Sequence, residues 1–180
     1  MSLIDKLQSF SVKIQPFLDK FGAYKVHLCP EVKGRLTNNG KPIDCQLISR
    51  SLNFSDGKAR KDFTYTDHNG NFTFPEKTIR SDQPSIPLSE IFTNQYITST
   101  YNNHKYIIWR ATLIGQSPIN EFNNKLNCLN GDINNEAIFF RFPVNSSQTN
   151  YEGTSICRWD KDFEIINIDE YFNLSEESTQ

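Results

Sequence analysis

Two runs of alternating apolar and polar residues, each broken by an asparagine–glycine corner, dominate the first half of the chain. Val32-Lys-Gly-Arg-Leu-Thr37 leads into Asn39-Gly40, and Ile43-Asp-Cys-Gln-Leu-Ile48 follows. Asp62-Phe-Thr-Tyr-Thr-Asp67 leads into Asn69-Gly70, and Phe72-Thr-Phe-Pro75 follows. Period-two alternation puts one face of a strand on a core and the other in water. The core face then carries Val32, Gly34 and Leu36, then Phe63 and Tyr65, then Phe72 and Phe74. Asn and Gly tolerate the positive φ that a tight hairpin needs. The pattern therefore predicts two consecutive β-hairpins, with Pro42 at a strand start or an edge because it lacks a backbone donor.

A third hairpin is predicted over 95–101 and 105–112, turning at 102–104, with Tyr106, Ile107, Ile108 and Trp109 consecutive in a strand buried on both faces. Residues 24–28 read as a strand leading into the first hairpin. Residues 51–61 read as a polar loop or a ragged hairpin, and 81–90, with Pro84 and Pro87, as extended or irregular. The turn-rich stretch 115–124 has room for a helical turn at 119–122, and further strands are predicted at 126–130, 137–142, 155–159 and 163–168. At the N-terminus, Leu3, Ile4, Leu7, Phe10, Ile14, Phe17 and Leu18 recur at helical spacing, with Ser2 as cap and Gly22 as terminator. Pro16 interrupts this segment, so it is one amphipathic helix or two short turns packed on the sheet. The expected fold is mainly β: an antiparallel β-sandwich with an N-terminal amphipathic helix. It divides into a helical segment at 1–22, a sandwich at 23–170 and a frayed tail at 171–180.

Charge adds an asymmetry. The 180 residues carry a formal net charge of −2, too small to argue for nucleic acid or an anionic membrane as partner. Residues 1–80 hold 13 Lys and Arg against 8 Asp and Glu, a net of +5, and residues 81–180 hold 6 against 13, a net of −7. The acidic half reads as a solvated face, or as a surface shaped for a basic partner. The candidate contact residues are Glu121, Asp132, Glu136, Asp160, Asp162 and Glu164, in loops 115–124 and 130–136 and strand 160–170. No stretch has the roughly 20 apolar residues of a membrane span. Taken from Met1, the opening residues lack the apolar region of a signal peptide, so a cytoplasmic location with reduced thiols is expected. The nearest two of the four cysteines are 16 residues apart, a spacing that argues for buried structural thiols and against zinc.

Little in the sequence points to a reaction. Asp67-His-Asn-Gly-Asn71 has the alternating oxygens of a calcium loop, but Thr78 stands where the closing glutamate of that motif belongs, so it reads as a turn. His27, His68 and His104 are scattered, and neither a nucleophile elbow nor a phosphate-binding glycine loop is present. No catalytic residue, metal ligand or cofactor is assigned. Trp109 and Trp159 are expected in the core.

Val32-Lys-Gly-Arg-Leu with Asn39-Gly-Lys-Pro42, followed by Thr66-Asp-His-Asn-Gly-Asn-Phe-Thr-Phe-Pro75, resembles the carboxypeptidase regulatory-like and transthyretin-like β-sandwich domains. A second resemblance covers roughly 26–160. Leu28-Cys-Pro-Glu-Val-Lys-Gly34, Tyr106-Ile-Ile-Trp109, Leu126-Asn-Cys-Leu-Asn130 and Gly153-Thr-Ser-Ile-Cys157-Arg-Trp159 are similar to elements of small bacterial proteins regarded as immunity partners of toxins delivered by type VI or contact-dependent secretion. That resemblance implies a non-catalytic antitoxin, which neutralises a cognate toxin with a basic surface by occluding it. Two alternatives stay open. One is a carbohydrate- or small-molecule-binding sandwich with an aromatic platform near Trp109 or Tyr101. The other is a structural or adhesion module using the N-terminal helix as an arm.

Overall fold

The computed structural model describes residues 17–143, 150–161 and 163–167. The predicted helix over residues 3–16, the tail at 171–180 and the candidate Asp162 lie outside them. Within them the chain runs β1 (Tyr24–Cys29), β2 (Val32–Asn38), β3 (Lys41–Pro42), β4 (Leu47–Phe54), β5 (Ala59–Tyr65), β6 (Asn71–Phe74), β7 (Lys77–Ser81), β8 (Phe92–Tyr101) and β9 (His104–Ile114). Helix α1 (Asn120–Leu126) follows, then β10 (Leu129–Asp132), β11 (Ile138–Phe142), β12 (Tyr151–Ser155) and β13 (Glu164–Ile165).

The fold is mainly β and forms a sandwich. One layer is a seven-stranded antiparallel sheet in the order β13-β11-β12-β9-β8-β4-β5. Facing it are the antiparallel pair β1-β7 and a four-stranded sheet in which β2 is flanked by β10, β3 and β6. The pairing of β10 with β2 is parallel. Buried side chains of both layers meet between them: Val26, Leu28, Val32, Leu36, Phe72 and Phe74 from one, Ile48, Leu52, Ile97, Trp109, Leu113 and Phe140 from the other. The buried Gln95 amide bridges the layers, donating to the Leu28 carbonyl at 2.8 Å while its oxygen accepts from the Trp109 indole at 3.0 Å.

The asparagine–glycine corners form, but neither closes the predicted hairpin. After Asn39 (φ 49°) and Gly40 (φ 75°), β3 pairs with β2 for two residues only. The backbone then turns through Cys45 (φ 53°) and β4 enters the opposite sheet. Thr66 fixes this crossing: its hydroxyl donates to the Ile43 carbonyl (2.6 Å) and accepts from the Gln46 amide (2.8 Å). The second corner likewise spans two sheets, since β5 pairs with β4 and β6 with β2. At that corner the Asp67 carboxylate accepts the Asn71 and Asn69 amides at 2.8 and 2.9 Å. These amides hold its carboxyl below the ordinary range. Gly70 (φ 78°) is required there, because a Cβ would lie 2.5 Å from the Leu36 carbonyl oxygen.

The true hairpin is β4–β5, which turns at Gly57 (φ 76°) inside the stretch read as a polar loop. This register reverses the expected faces of β5. Phe63 and Tyr65 are exposed, and Arg60, Asp62 and Thr64 point inward. The reason is Arg50 on β4, which is 0% exposed. Its guanidinium donates to both Asp62 oxygens (2.9 and 2.6 Å) and to the Pro75 carbonyl (2.8 Å), and it lies 4.7 Å from the centre of the Phe74 ring. A buried cation needs such partners on its own face, so the interior of β5 is polar.

Other expectations also shift. The third hairpin is present, but the apolar run in β9 reflects a bulge between Ile97 and Thr98 of β8, which leaves Ile108 and Trp109 both buried while Tyr106 and Ile107 are partly covered. Trp109 meets Phe122, Phe140 and Trp159 at centroid distances of 5.9, 5.9 and 6.0 Å, and Trp159 is itself half-buried. The helical turn predicted at 119–122 is α1, which extends to Leu126. The strand predicted over 155–159 is instead β12, ending at Ser155, with only an isolated bridge from Cys157 to Gly131 beyond it. Burial pushes the Cys29 thiol up to about 11 and the Cys157 thiol up to about 12. Cys45 and Cys128 are exposed, contrary to the expectation of buried thiols.

Candidate binding cleft

An open cleft of about 410 Å³ lies between the start of β9 and the loop joining β10 to β11. One wall is His104, Lys105, Tyr106 and Ile107, the other runs from Ile133 to Ala137, and Ile156 lines it too. Each wall has a local cause. The β8–β9 hairpin turns through Asn102 (φ 48°) and Asn103 (φ 61°), two consecutive left-handed residues of the type that twists with its strands. His104 and Tyr106 then project together, their rings edge to face at 4.7 Å. The Ile156 amide donates to the Ile107 carbonyl at 2.9 Å, which seats Ile156 beside β9.

Asp132 builds the opposite wall. One carboxylate oxygen accepts from the Asn39 amide (3.1 Å), the Asn134 amide (2.9 Å) and the Asn134 side chain (2.8 Å). The other accepts from the Gly40 amide and the Thr37 hydroxyl, both at 2.8 Å. Partial burial opposes ionisation, but the Gly40 and Asn134 donors outweigh it and hold the Asp132 carboxyl well below the usual carboxylate range. The Asn135 side chain donates to the Ile156 carbonyl (3.1 Å), and Arg158 donates to the Glu136 carbonyl (2.9 Å). The loop is therefore clamped at both ends, with the Glu136 residue exposed on its rim.

The six acidic candidates do not form one surface. Asp132 is consumed in holding the loop and the Asn39–Gly40 corner together, so its carboxylate has no oxygen left for a partner. Glu136 lines the cleft. Glu121 sits, half-buried, in the first turn of α1. Asp160 is exposed, and Glu164 is exposed on the edge strand β13, opposite Arg141 in register. Asp162 lies outside the described residues. Trp109 is 0% exposed and cannot serve as an aromatic platform. Sequence reasoning passed over His104, Tyr106 and Ile133. The asparagine pair at 102–103 was a signal for a projecting turn, but nothing local marks Ile133 as its neighbour.

The lining combines apolar Tyr106, Ile107, Ile133 and Ile156 with Lys105 and Glu136, charges of opposite sign, and with asparagine amides. Such a surface can seat a partner's side chain or a small ligand through apolar contact inside and polar contact at the rim. The His104 ring meets the Tyr106 ring rather than a carboxylate or a thiol. Among the described residues, no group of three or more His, Cys, Asp or Glu is placed to hold a metal ion, and no helix is long and apolar enough to cross a membrane.

Fold and cleft define a β-sandwich protein with a rigid recess beside its longest hairpin. A family model described as "Domain of unknown function (DUF6795)" matches residues 32–136, and the chain belongs to that family. The matched span includes β9 and the loop through Glu136, hence most of both walls, but not Ile156. No curated protein and no solved structure matches the chain.

Proposed function

We propose that this chain is a non-catalytic binding protein that occludes a partner protein, with the cleft beside β9 as its central contact. The observation that carries the reading is the clamped recess itself. Apolar residues lie inside a charged rim, on walls pre-set by the β8–β9 turn and by Asp132. Pre-organised walls lose little entropy on binding. An exposed Glu136 supports a partner whose inserted group is basic, with long-range attraction adding to the association rate. Resemblance to immunity proteins supports a toxin as that partner, neutralised by coverage of its active site. Glu121, Asp160 and Glu164 are then peripheral charges that steer the encounter.

Titration calorimetry against the purified product of the adjacent gene tests this. Tyr106→Ala combined with Glu136→Lys is expected to weaken binding at least about tenfold, the scale of one lost anchor. Protection of growth against that product should fall with it. Wild-type affinity in the double variant would remove the cleft from the interface. The His104–Tyr106 ring pair supports a second reading, a carbohydrate or small-molecule ligand in the same recess. A glycan or metabolite hit abolished by Tyr106→Ala, with no protein partner, would favour it.

A further inference from the structure

The unpaired edge of the seven-stranded sheet is a second interaction surface, unrelated to the cleft. Strand β5 ends that sheet, and its Phe63 and Tyr65 are 60% and 65% exposed. Leu47, opposite Tyr65 on β4, is exposed beside them. The direction of the backbone groups follows from the ladder. The Phe54 amide donates to the Lys58 carbonyl and the Thr66 amide to the Gln46 carbonyl, so even-numbered residues of β5 bond to β4. Hydrogen-bonded and non-bonded pairs alternate along an antiparallel ladder. The amides and carbonyls of Ala59, Lys61, Phe63 and Tyr65 therefore point away from the sheet. These are the same residues whose side chains stand on the outer face. The inward charges that often guard an edge are neutralised here, since Asp62 pairs with Arg50, and Arg60 with Asp19 and Asp56.

We infer that β5 pairs antiparallel with β5 of a second copy, about a two-fold axis at Phe63. Charge selects the register. An axis at Lys61 would set Lys61 against Lys61 of the second copy, and an axis at Asp62 would set two carboxylates face to face. Like charges directly opposite are destabilising. An axis at Thr64 would push the overlap past the strand end at Tyr65. At Phe63 the two phenyl rings meet, Lys61 lies opposite the second copy's Tyr65, and Asp62 lies opposite its Thr64. Aromatic pairing and a lysine beside a ring are both favourable, and no like charges oppose. The strand is short, so the dimer is weak and forms only as concentration rises.

Sedimentation equilibrium across a concentration series is expected to show an average mass rising from 20.8 kDa toward twice that value. Phe63→Lys should weaken association about tenfold or more, the equivalent of one lost aromatic pair. Cross-linking reads the register directly, in a Cys45→Ser, Cys128→Ser background that removes the exposed thiols. Facing Cα atoms in a hydrogen-bonded pair are about 5.5 Å apart, within disulfide reach. Phe63→Cys should therefore form an intermolecular disulfide. Lys61→Cys should not, since its two copies would be roughly 13 Å apart along the strands. A monomer up to about millimolar concentration would overturn the inference. So would a dimer indifferent to Phe63→Lys that cross-links equally at both positions.

Discussion

Replacing Asp132 by asparagine tests whether this acid is a structural clamp rather than part of a binding surface. The change keeps the shape and removes one acceptor atom. With the amide oxygen in the position that serves Asn39 and Asn134, the new amino group faces the Gly40 amide and the Thr37 hydroxyl, and two bonds of 2.8 Å are lost. Hydrogen bonds to a charged group contribute about 1.5–3 kcal/mol each. The Gly40 amide is exposed, so water replaces part of the loss, and a net cost of about 2 kcal/mol is expected. In a chain of this size that lowers Tm by about 6 °C. The effect depends on pH with a definite sign. The folded carboxyl lies below its ordinary value of 3.8, so its stabilisation is complete above that pH and is lost as pH falls through the folded value. Urea unfolding followed by tryptophan fluorescence should show the full difference near pH 7 and about half of it or less near pH 2.5. A variant within about 0.5 kcal/mol of wild type, or a difference independent of pH, would refute the clamp.

Three further outcomes follow from the interior. Arg50→Ala leaves Asp62 unpaired and the space over Phe74 empty, and should cost about 3 kcal/mol in urea unfolding. Arg50→Lys, which cannot fork onto both Asp62 oxygens, should cost less but still about 1–2 kcal/mol. Gly34→Ala places a methyl 2.4 Å from the Phe72 ring and 2.5 Å from the Leu129 carbonyl oxygen, a backbone atom that cannot yield cheaply. A loss of about 2–3 kcal/mol is expected there, read as a drop in Tm. Burial lowers the His27 pKa, and the Glu76 carboxylate at 3.1 Å only partly restores it. Stability should therefore decline as pH falls below about 6.5, because the unfolded chain takes up a proton that the fold excludes. His27→Gln should flatten that decline between about pH 7.5 and about pH 5, as measured by urea midpoints.

Alternation reported strand positions well and strand partners badly. Val32 and Leu36, Phe72 and Phe74, and the β8–β9 pair are where period two puts them. The corner at Asn69–Gly70 has the same local chemistry whether the chain folds back on its neighbour or crosses to the other sheet, and only the distant Leu36 backbone separates the two. Phe63 and Tyr65 were placed inside because aromatics favour cores. The buried guanidinium of Arg50 reserves that face of β5 for Asp62, a constraint set by a residue on another strand. Four consecutive apolar residues in β9 look like a strand covered on both faces, and a bulge in the ladder produces the same run. At the cleft, the turn at Asn102–Asn103 was legible, whereas Asp132 looked like one more surface acid. Its tie to Asn134 is local, but its grip on Gly40 spans most of the fold and leaves no trace in composition.

The cleft is tested most directly by amide chemical-shift mapping of the labelled chain as the adjacent gene's product is titrated in. Perturbations concentrated at 104–107 and 133–137, and weak along β5, are expected if the recess seats the partner. Saturable binding with those amides unmoved, and shifts gathered on β13 or on the outer face of the large sheet, would contradict it.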